Sequence, residues 1–208
     1  RAVRLYLKQH EKELGGVKVE LITRDDTGPN PDKARQLAQE LVVRDKVNLL
    51  AGVIFTPNAM AMAPIATEAK VPFVIMNAGT AVITTRSPYM VRTSFTLWQS
   101  SYPLGQWASK RFKTAYSLVS DFGPGHDSED AFSKGFEEGG GKILGKVRVP
   151  LQNPDWAAYL QRVKDAKPDA LKVFIAAGKT ATAVMKNFSD LGLDKAGIKL
   201  IGPGDITT

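Results

Sequence analysis

The chain has 208 residues, 43% hydrophobic and 24% charged, the balance of one large globular domain or two small ones. It has no cysteine, which excludes disulfides, thiolate metal sites and a cysteine nucleophile, and no apolar run long enough to span a bilayer. A net charge of +7 invites a nucleic-acid reading, but Lys and Arg alternate with Asp and Glu, as in Arg24-Asp25-Asp26 and Arg44-Asp45-Lys46, and no basic run is flanked by aromatics. The charge reads as a solvated surface that assists encounter with anionic solutes.

In chain order, residues 1–14 read as the end of a helix closed by Gly15-Gly16, and Arg1-Ala2-Val3-Arg4 does not look like a natural start. Residues 17–22 alternate (Val17, Val19, Leu21) and read as a strand. A turn-rich loop, Asp25-Asp26-Thr27-Gly28-Pro29-Asn30-Pro31, precedes a helix over 32–44 with Ala34, Leu37, Ala38, Leu41 and Val42 on one face. Residues 48–54 read as a strand, 59–70 as a helix, 71–76 as a strand, and 90–95 as another short strand. Thr96 and Gln99 form a capping-box pattern for a helix reaching about residue 112. The alternation then restarts. Strands are expected at 115–120, 143–149, 170–176 and 198–201, with helices at 128–138, from Asn153-Pro154-Asp155 to 166, and from Gly178 to 191. Strands alternating with helices imply parallel, doubly wound α/β sheets, here two sets in series with a crossover near Phe95 and no repeat in sequence.

The stretch 52–80 organises this pattern. It contains two strand exits, Phe55-Thr56-Pro57-Asn58 and Asn77-Ala78-Gly79-Thr80, and ligands of open parallel sheets sit outside such ends. Thr56 reads as an N-cap and Pro57 as the first helical residue. Thr56 either only caps its helix or leaves the first-turn N–H groups and the dipole to a small anion. Phe122, in the loop Asp121-Phe122-Gly123-Pro124-Gly125-His126-Asp127, is either core or a ring facing the crevice.

Other chemistry finds little support. Gly178-Lys179-Thr180 lacks the earlier glycine of a P-loop, whose position holds Val173. No G-x-G-x-x-G follows a strand, so a dinucleotide site is not indicated. His10 and His126 have no ligand-like spacing, and no G-x-S-x-G elbow supplies a nucleophile. Asp127 reads as the cap of the helix starting at Ser128, with His126 in the loop. Asp25 and Asp26 are adjacent in extended chain and point opposite ways, which disfavours a shared acid–base role.

The chain resembles the periplasmic type I solute-binding proteins of ABC transporters, in the branched-chain amino-acid binding family. The residues that carry the likeness are Val19-Glu20-Leu21 with Arg24-Asp25-Asp26, residues 31–45, Ala63-Pro64-Ile65-Ala66 with Val71-Pro72-Phe73, and Ser87-Pro88-Tyr89 with Arg92-Thr93-Ser94-Phe95. Asp121-Phe122-Gly123, the glycines after the next helix, Lys167-Pro168-Asp169-Ala170 and Gly202-Pro203-Gly204 complete it. The resemblance implies two Rossmann-like lobes closing on a ligand: residues 1–95 and 96–205, with 206–208 starting a return crossover. It also implies a first strand before Arg1 and a further segment after Thr208, so the chain is expected to be part of a longer one. Its ligand-binding positions match Phe55, Thr56, Pro57 and Asn58, then Asn77, Ala78, Gly79 and Thr80, then Phe122, Ala177 and Gly178.

One position departs from the family. Branched-chain amino-acid binders hold the ligand ammonium with an acidic residue where this chain has Gly204, although Asp205 is adjacent. The loop 121–127 also resembles members that bind aromatic carboxylates. The expected ligand is therefore an aromatic or other apolar carboxylic acid, with branched-chain amino acids second. The expectation is a periplasmic monomer that docks on a membrane permease, with no cofactor, no metal, no enzymatic step and no nucleic acid. The same fold also serves as the effector domain of transcriptional regulators and amide sensors, which is the alternative.

Overall fold

The computed structural model describes residues 2–152, 154–176 and 179–204. It begins with helix α1 (Ala2–Gln9) and a 3-10 turn (Glu11–Glu13), then α2 (Pro31–Gln39), which widens into a π turn (Glu40–Arg44). Asn30 caps α2 by accepting from the Lys33 N–H at 3.1 Å. Three short strands, β1 (Leu50–Gly52), β2 (Phe73–Ile75) and β3 (Met90–Arg92), pair in parallel in that order, with Leu50 opposite Phe73 and Phe73 opposite Met90. Between them lie α3 (Thr56–Ala69) and a 3-10 turn (Ala81–Arg86) that the sequence pattern did not indicate. Ala34, Ala38, Leu50, Met62, Phe73 and Ile75 form the core that joins α2 and α3 to this sheet.

The strand expected at 17–22 is not formed. The alternation is real, but a strand exists only where a neighbour pairs its N–H and C=O groups. Among the described residues none does, and Val17, Val19 and Leu21 are exposed.

The second sheet is longer. It comprises β4 (Thr114–Ser120), β5 (Lys142–Val149), β6 (Ala170–Phe174) and β7 (Lys199–Ile201), all parallel, in the order β5-β4-β6-β7. Both faces are covered, as parallel sheets require. Leu118, Leu171 and Val173 pack with Leu160 and Val163 of α6 (Trp156–Ala166) and Val184 and Phe188 of α7 (Lys179–Asp190). On the other face Ala115 meets Ala108 of α4 (Leu97–Ser109) and Phe132 and Phe136 of α5 (Gly123–Glu138). Helices α4 and α5 approach closely because two glycines face the contact. A Cβ at Gly105 would strike the Phe132 carbonyl, and one at Gly135 would strike the Tyr102 carbonyl. The expected capping box of α4 is present: Thr96 accepts from the Gln99 N–H, and the Gln99 side chain accepts from the Thr96 N–H.

On this second face lies a fully buried lysine. Lys172 of β6 donates to Ser128 Oγ at 2.7 Å, and Ser128 shares a hydrogen bond with Ser101 of α4 at 2.8 Å. The Phe132 and Phe174 rings lie about 6 Å from its ammonium. Burial pushes the Lys172 pKa down from 10.5 to about 7, against the pull of the Glu129 carboxylate. Between those values the unfolded chain holds one proton more than the folded one, so folding gains stability as pH rises through this window. In the full-length protein, the urea midpoint of wild type relative to Lys172→Met should therefore increase from pH 7 to pH 9. A pH-independent difference would show that Lys172 titrates normally.

Candidate functional site

The carboxyl ends of the strands open on one cleft of about 690 Å³. The first sheet contributes Ile54 and Phe55 after β1, Asn77 and Gly79 after β2, and Ser94 and Phe95 after β3. Thr96, Leu97 and Ser100 come from the start of α4. The second sheet contributes Phe122 and Pro124 after β4, Phe174 to Ala176 at the end of β6, and Pro203 and Gly204 after β7. The chain runs from β4 to β5 on one side and returns to β6 on the other. Phe122 and Ile175 thus leave the sheet at the point where strand order reverses, the usual ligand crevice of such folds.

Four phenylalanines line the cleft, and no Asp, Glu, Lys or Arg does so among the described residues. Phe122 and Phe174 stack with centroids 6.1 Å apart and planes 16° from parallel. Phe55 and Phe122 occupy equivalent places. Each is the extended residue before a helix, α3 or α5, and each is followed by X-Pro. Neither helix has a side-chain cap, whereas α2, α4 and α6 are capped by Asn30, Thr96 and Asp155. The two uncapped N-termini leave backbone donors and positive dipole ends toward the cleft. The β1–α3 turn also carries strain: Val53, a β-branched residue, sits at φ 69° just before Ile54 and Phe55.

Thr56 is not the cap of α3. It is the first helical residue, Phe55 is the cap position, and Pro57 is second. Its hydroxyl instead shares a 2.8 Å hydrogen bond with that of Thr80, and both side chains are buried. Asn58 and Ala78 are buried too, and neither they nor Pro57 nor the two threonines are lining residues of the cleft; Thr56 and Thr80 sit just behind Phe55 and Gly79, which are. Asn58 donates to Asp26 Oδ2 at 2.7 Å and to the Gly28 carbonyl at 2.8 Å, so it holds the loop after residue 24 against α3. Asp25 accepts from the Thr27 N–H at 2.9 Å, leaving the two adjacent carboxylates with separate structural tasks. Ala177, Gly178 and Asp205 lie outside the described residues.

Asp127 does not cap a helix at Ser128. Helix α5 begins five residues earlier, at Gly123, because the Gly-Pro-Gly segment forms its first turn. The Asp127 carboxylate reaches the other sheet's side of the cleft, accepting from the Ala81 N–H at 2.6 Å. His126 is helical and its Nε2 lies 2.7 Å from Asp121 Oδ1. Arg92, Ser94 and Phe174 were not singled out as site residues by the sequence. Arg92 Nη1 donates to the Thr80 carbonyl at 2.6 Å and the Ala78 carbonyl at 3.3 Å, fixing the 77–80 loop from beneath. Burial lowers its pKa, while Asp127 opposes the fall. The sequence marked it only as part of Arg92-Thr93-Ser94-Phe95, one of the stretches that carry the family likeness, and not as a site residue.

A two-sheet α/β chain with a cleft between the carboxyl ends of its sheets and uncapped helix N-termini beside it is the arrangement of a binding protein. The chain belongs to the periplasmic binding protein family, which matches residues 1–208. It is similar to a solute-binding protein of an ABC transporter from Rhodopseudomonas palustris BisB5, solved in complex with 3,4-dihydroxybenzoic acid, at 53% identity and a TM-score of 0.93 over 99% of this chain and 56% of that one. A second solute-binding protein, from R. palustris and in complex with 4-hydroxybenzoate, is 46% identical with a TM-score of 0.94 over 98% of this chain and 55% of that one. The Leu/Ile/Val-binding protein homolog 6 of Brucella melitensis is 44% identical over 203 residues, 97% of this chain and 52% of the relative. The chain thus spans about half the length of the relatives it matches. The fold is that of the type I periplasmic binding proteins.

Gly123 is one point where the two sides of the cleft touch. A Cβ there would stand 2.8 Å from Thr80 Oγ1 and 3.6 Å from Thr56 Cγ2. Gly123→Ala should therefore push α5 off the threonine pair and loosen the Asp127–Ala81 hydrogen bond. Hydrogen exchange at the Ala81 amide should quicken about tenfold or more while core amides of β4 and β6 stay protected. Unchanged Ala81 exchange would mean that the methyl is accommodated without separation.

Proposed function

We propose that this chain is the ligand-binding part of the solute-binding component of an ABC importer, which takes up a small aromatic or other apolar carboxylic acid in the periplasm and presents it to a membrane permease. In this reading the chain divides into its two lobes at about residue 95. The observation that carries the ligand class is the cleft lining: four phenylalanine rings and no acidic side chain among the described residues. An α-amino acid would bring an ammonium with no anion to meet it, a costly desolvation. A plain carboxylate needs only donors. The aromatic ligands of the two R. palustris relatives agree with this class, whereas the name of the Brucella relative points to the second one.

The carboxylate is held by the start of α3 and the 77–80 loop. Thr56 and Thr80 have two hydroxyl protons between them and use one in their mutual bond, so one O–H remains to donate. With the N–H groups of the uncapped first turn, it forms a site for one small anion. The apolar body then lies against Phe122 and Phe174. The mechanism is binding without chemistry. Closing the lobes excludes water and strengthens the polar contacts in the drier site.

A thermal-shift screen of the full-length protein tests this directly. Aromatic carboxylates at about 100 times the dissociation constant should add about 2.7 kcal/mol and raise the melting temperature, while leucine and valine should not. Stabilisation by the amino acids alone would overturn the ligand class. Thr56→Ala should weaken every carboxylate by about five- to tenfold, and Phe122→Ala should weaken aromatic acids about tenfold more than aliphatic ones, both by titration calorimetry.

Gly204 offers a converse test. A Cβ there meets open space, so a longer side chain fits the cleft wall. Gly204→Asp should lower affinity for aromatic acids and confer measurable binding of an α-amino acid. Loss of the first without gain of the second would place the amino-acid pole elsewhere.

A further inference from the structure

Lys172 is fully buried, and binding without chemistry gives it no task. Its amine donates to Ser128 Oγ, a neutral partner that is itself bonded to Ser101 of α4. Ser117 stands opposite it in the β4–β6 register, buried and without a hydrogen-bond partner. The Phe132 and Phe174 rings lie about 6 Å away. Glu129 and Asp130 of α5 attract the ammonium through space, and Lys146 of β5 repels it. Among the described residues none of these forms an ion pair with it. The Glu129 carboxylate is taken by Arg148, which donates to its Oε1 at 2.9 and 3.1 Å.

This unpaired amine is close to the cleft. Phe174, one of the two rings beside it, lines the cleft and stacks on Phe122. Ser128 follows Gly123 by five residues of α5, about 7.5 Å along the helix. A Cβ at Gly123 would in turn stand 2.8 Å from Thr80 Oγ1. A carboxylate beside Thr56 and Thr80 is thus on the order of 10 Å from the Lys172 amine. Buried helix and aromatic side chains fill the space between, so the field is screened far less than at the surface. No charged side chain lines the cleft among the described residues, so nothing at its wall cancels that field. Arg92 lies nearer the threonines, but a guanidinium keeps its charge whatever binds. The charge of a buried lysine can change.

We propose that Lys172 answers the ligand's charge from behind the aromatic wall, so that binding a carboxylate in the cleft draws a proton onto its amine. This rests on the carboxylate reading above. The sign follows from the charges: an anion in the cleft favours the ammonium over the neutral amine and raises the Lys172 pKa in the bound form. In the free form burial already holds that pKa at about 7, so the amine is only partly charged near neutral pH. Affinity is therefore greatest where Lys172 is charged before binding, and falls as pH rises from 6 to 9. At about 10 Å in a partly dry site the effect is about tenfold between the two ends of that range.

Calorimetric titration of the full-length protein with benzoate and 4-hydroxybenzoate, in phosphate and in Tris, tests it, because the difference in heat between buffers counts the protons exchanged. Near pH 7.5 wild type should take up about 0.4 proton per ligand. Lys172→Met should take up none and bind with pH-independent affinity, whereas His126→Gln, which removes the histidine of the same helix, should keep the uptake. Wild type with isotope-labelled lysine reads the group without any variant: the titration midpoint of the Lys172 side-chain resonance should rise by about one pH unit when either acid is added. Binding with no proton uptake and an unmoved midpoint would overturn the proton linkage and leave the carboxylate reading standing. Uptake that survives in Lys172→Met, or vanishes in His126→Gln, would overturn the assignment to Lys172. Failure of both acids to bind folded wild type would overturn the carboxylate reading as well.

Discussion

The structure turns on the contact between the start of α5 and the loop after β2. Gly123 rests on the paired hydroxyls of Thr56 and Thr80, Asp127 accepts from the Ala81 N–H, and Arg92 holds the Thr80 carbonyl. Three independent groups thus converge on one short segment, residues 78–81. The segment can be held so closely only because residue 123 lacks a side chain. The cleft exists because these contacts bring the carboxyl ends of two separate sheets together. Its two walls consequently have different chemistry.

That contact depends on support from behind. Helix α5 is fixed against α4 by the close approach at Gly105 and Gly135 and by the Ser101–Ser128–Lys172 chain of hydrogen bonds. A lysine in a dry sheet face is a poor choice for stability alone, since its charge is disfavoured there. Ser128, which accepts its hydrogen bond, is the next residue of α5 after Asp127, which makes the contact with Ala81. Phe174, whose ring lies about 6 Å from the same ammonium, stacks on Phe122 in the cleft. The buried polar chain and the aromatic wall are thus parts of one packed unit, and what sets α5 also sets the ring that lines the cleft.

The selectivity we propose follows from what the cleft omits as much as from what it contains. Without an acidic side chain among its described lining residues, it gives an ammonium nothing to pair with. The uncapped ends of α3 and α5 supply positive potential without a mobile cation, so a small carboxylate can be held by preorganised backbone. The parallel between Phe55-Thr56-Pro57 and Phe122-Gly123-Pro124 shows the same solution used on both sides, with threonine where a hydroxyl is useful and glycine where the opposite wall must come close.

Local pattern alone determined much of this protein. The order of helices and strands after residue 30, the parallel α/β class, the capping box of Thr96 and Gln99, and the strand exits that hold Phe55, Asn77, Phe122 and Gly204 are all legible in the sequence, because periodicity and turn chemistry act over a few residues. The segment 17–22 marks the limit of that reading: alternation defines a face, but only a neighbouring strand makes a ladder. Thr56 and Asp127 mark it again. Both are good capping residues by type, yet Thr56 pairs with Thr80 from another strand exit and Asp127 with an amide in the other half of the chain. Capping competes with any partner that folding delivers, and partners 24 and 46 residues away leave no local trace. The sequence therefore determined where the cleft opens. Only the tertiary structure decided which side chains face it and which hold it shut, because those choices are made by contacts between distant segments.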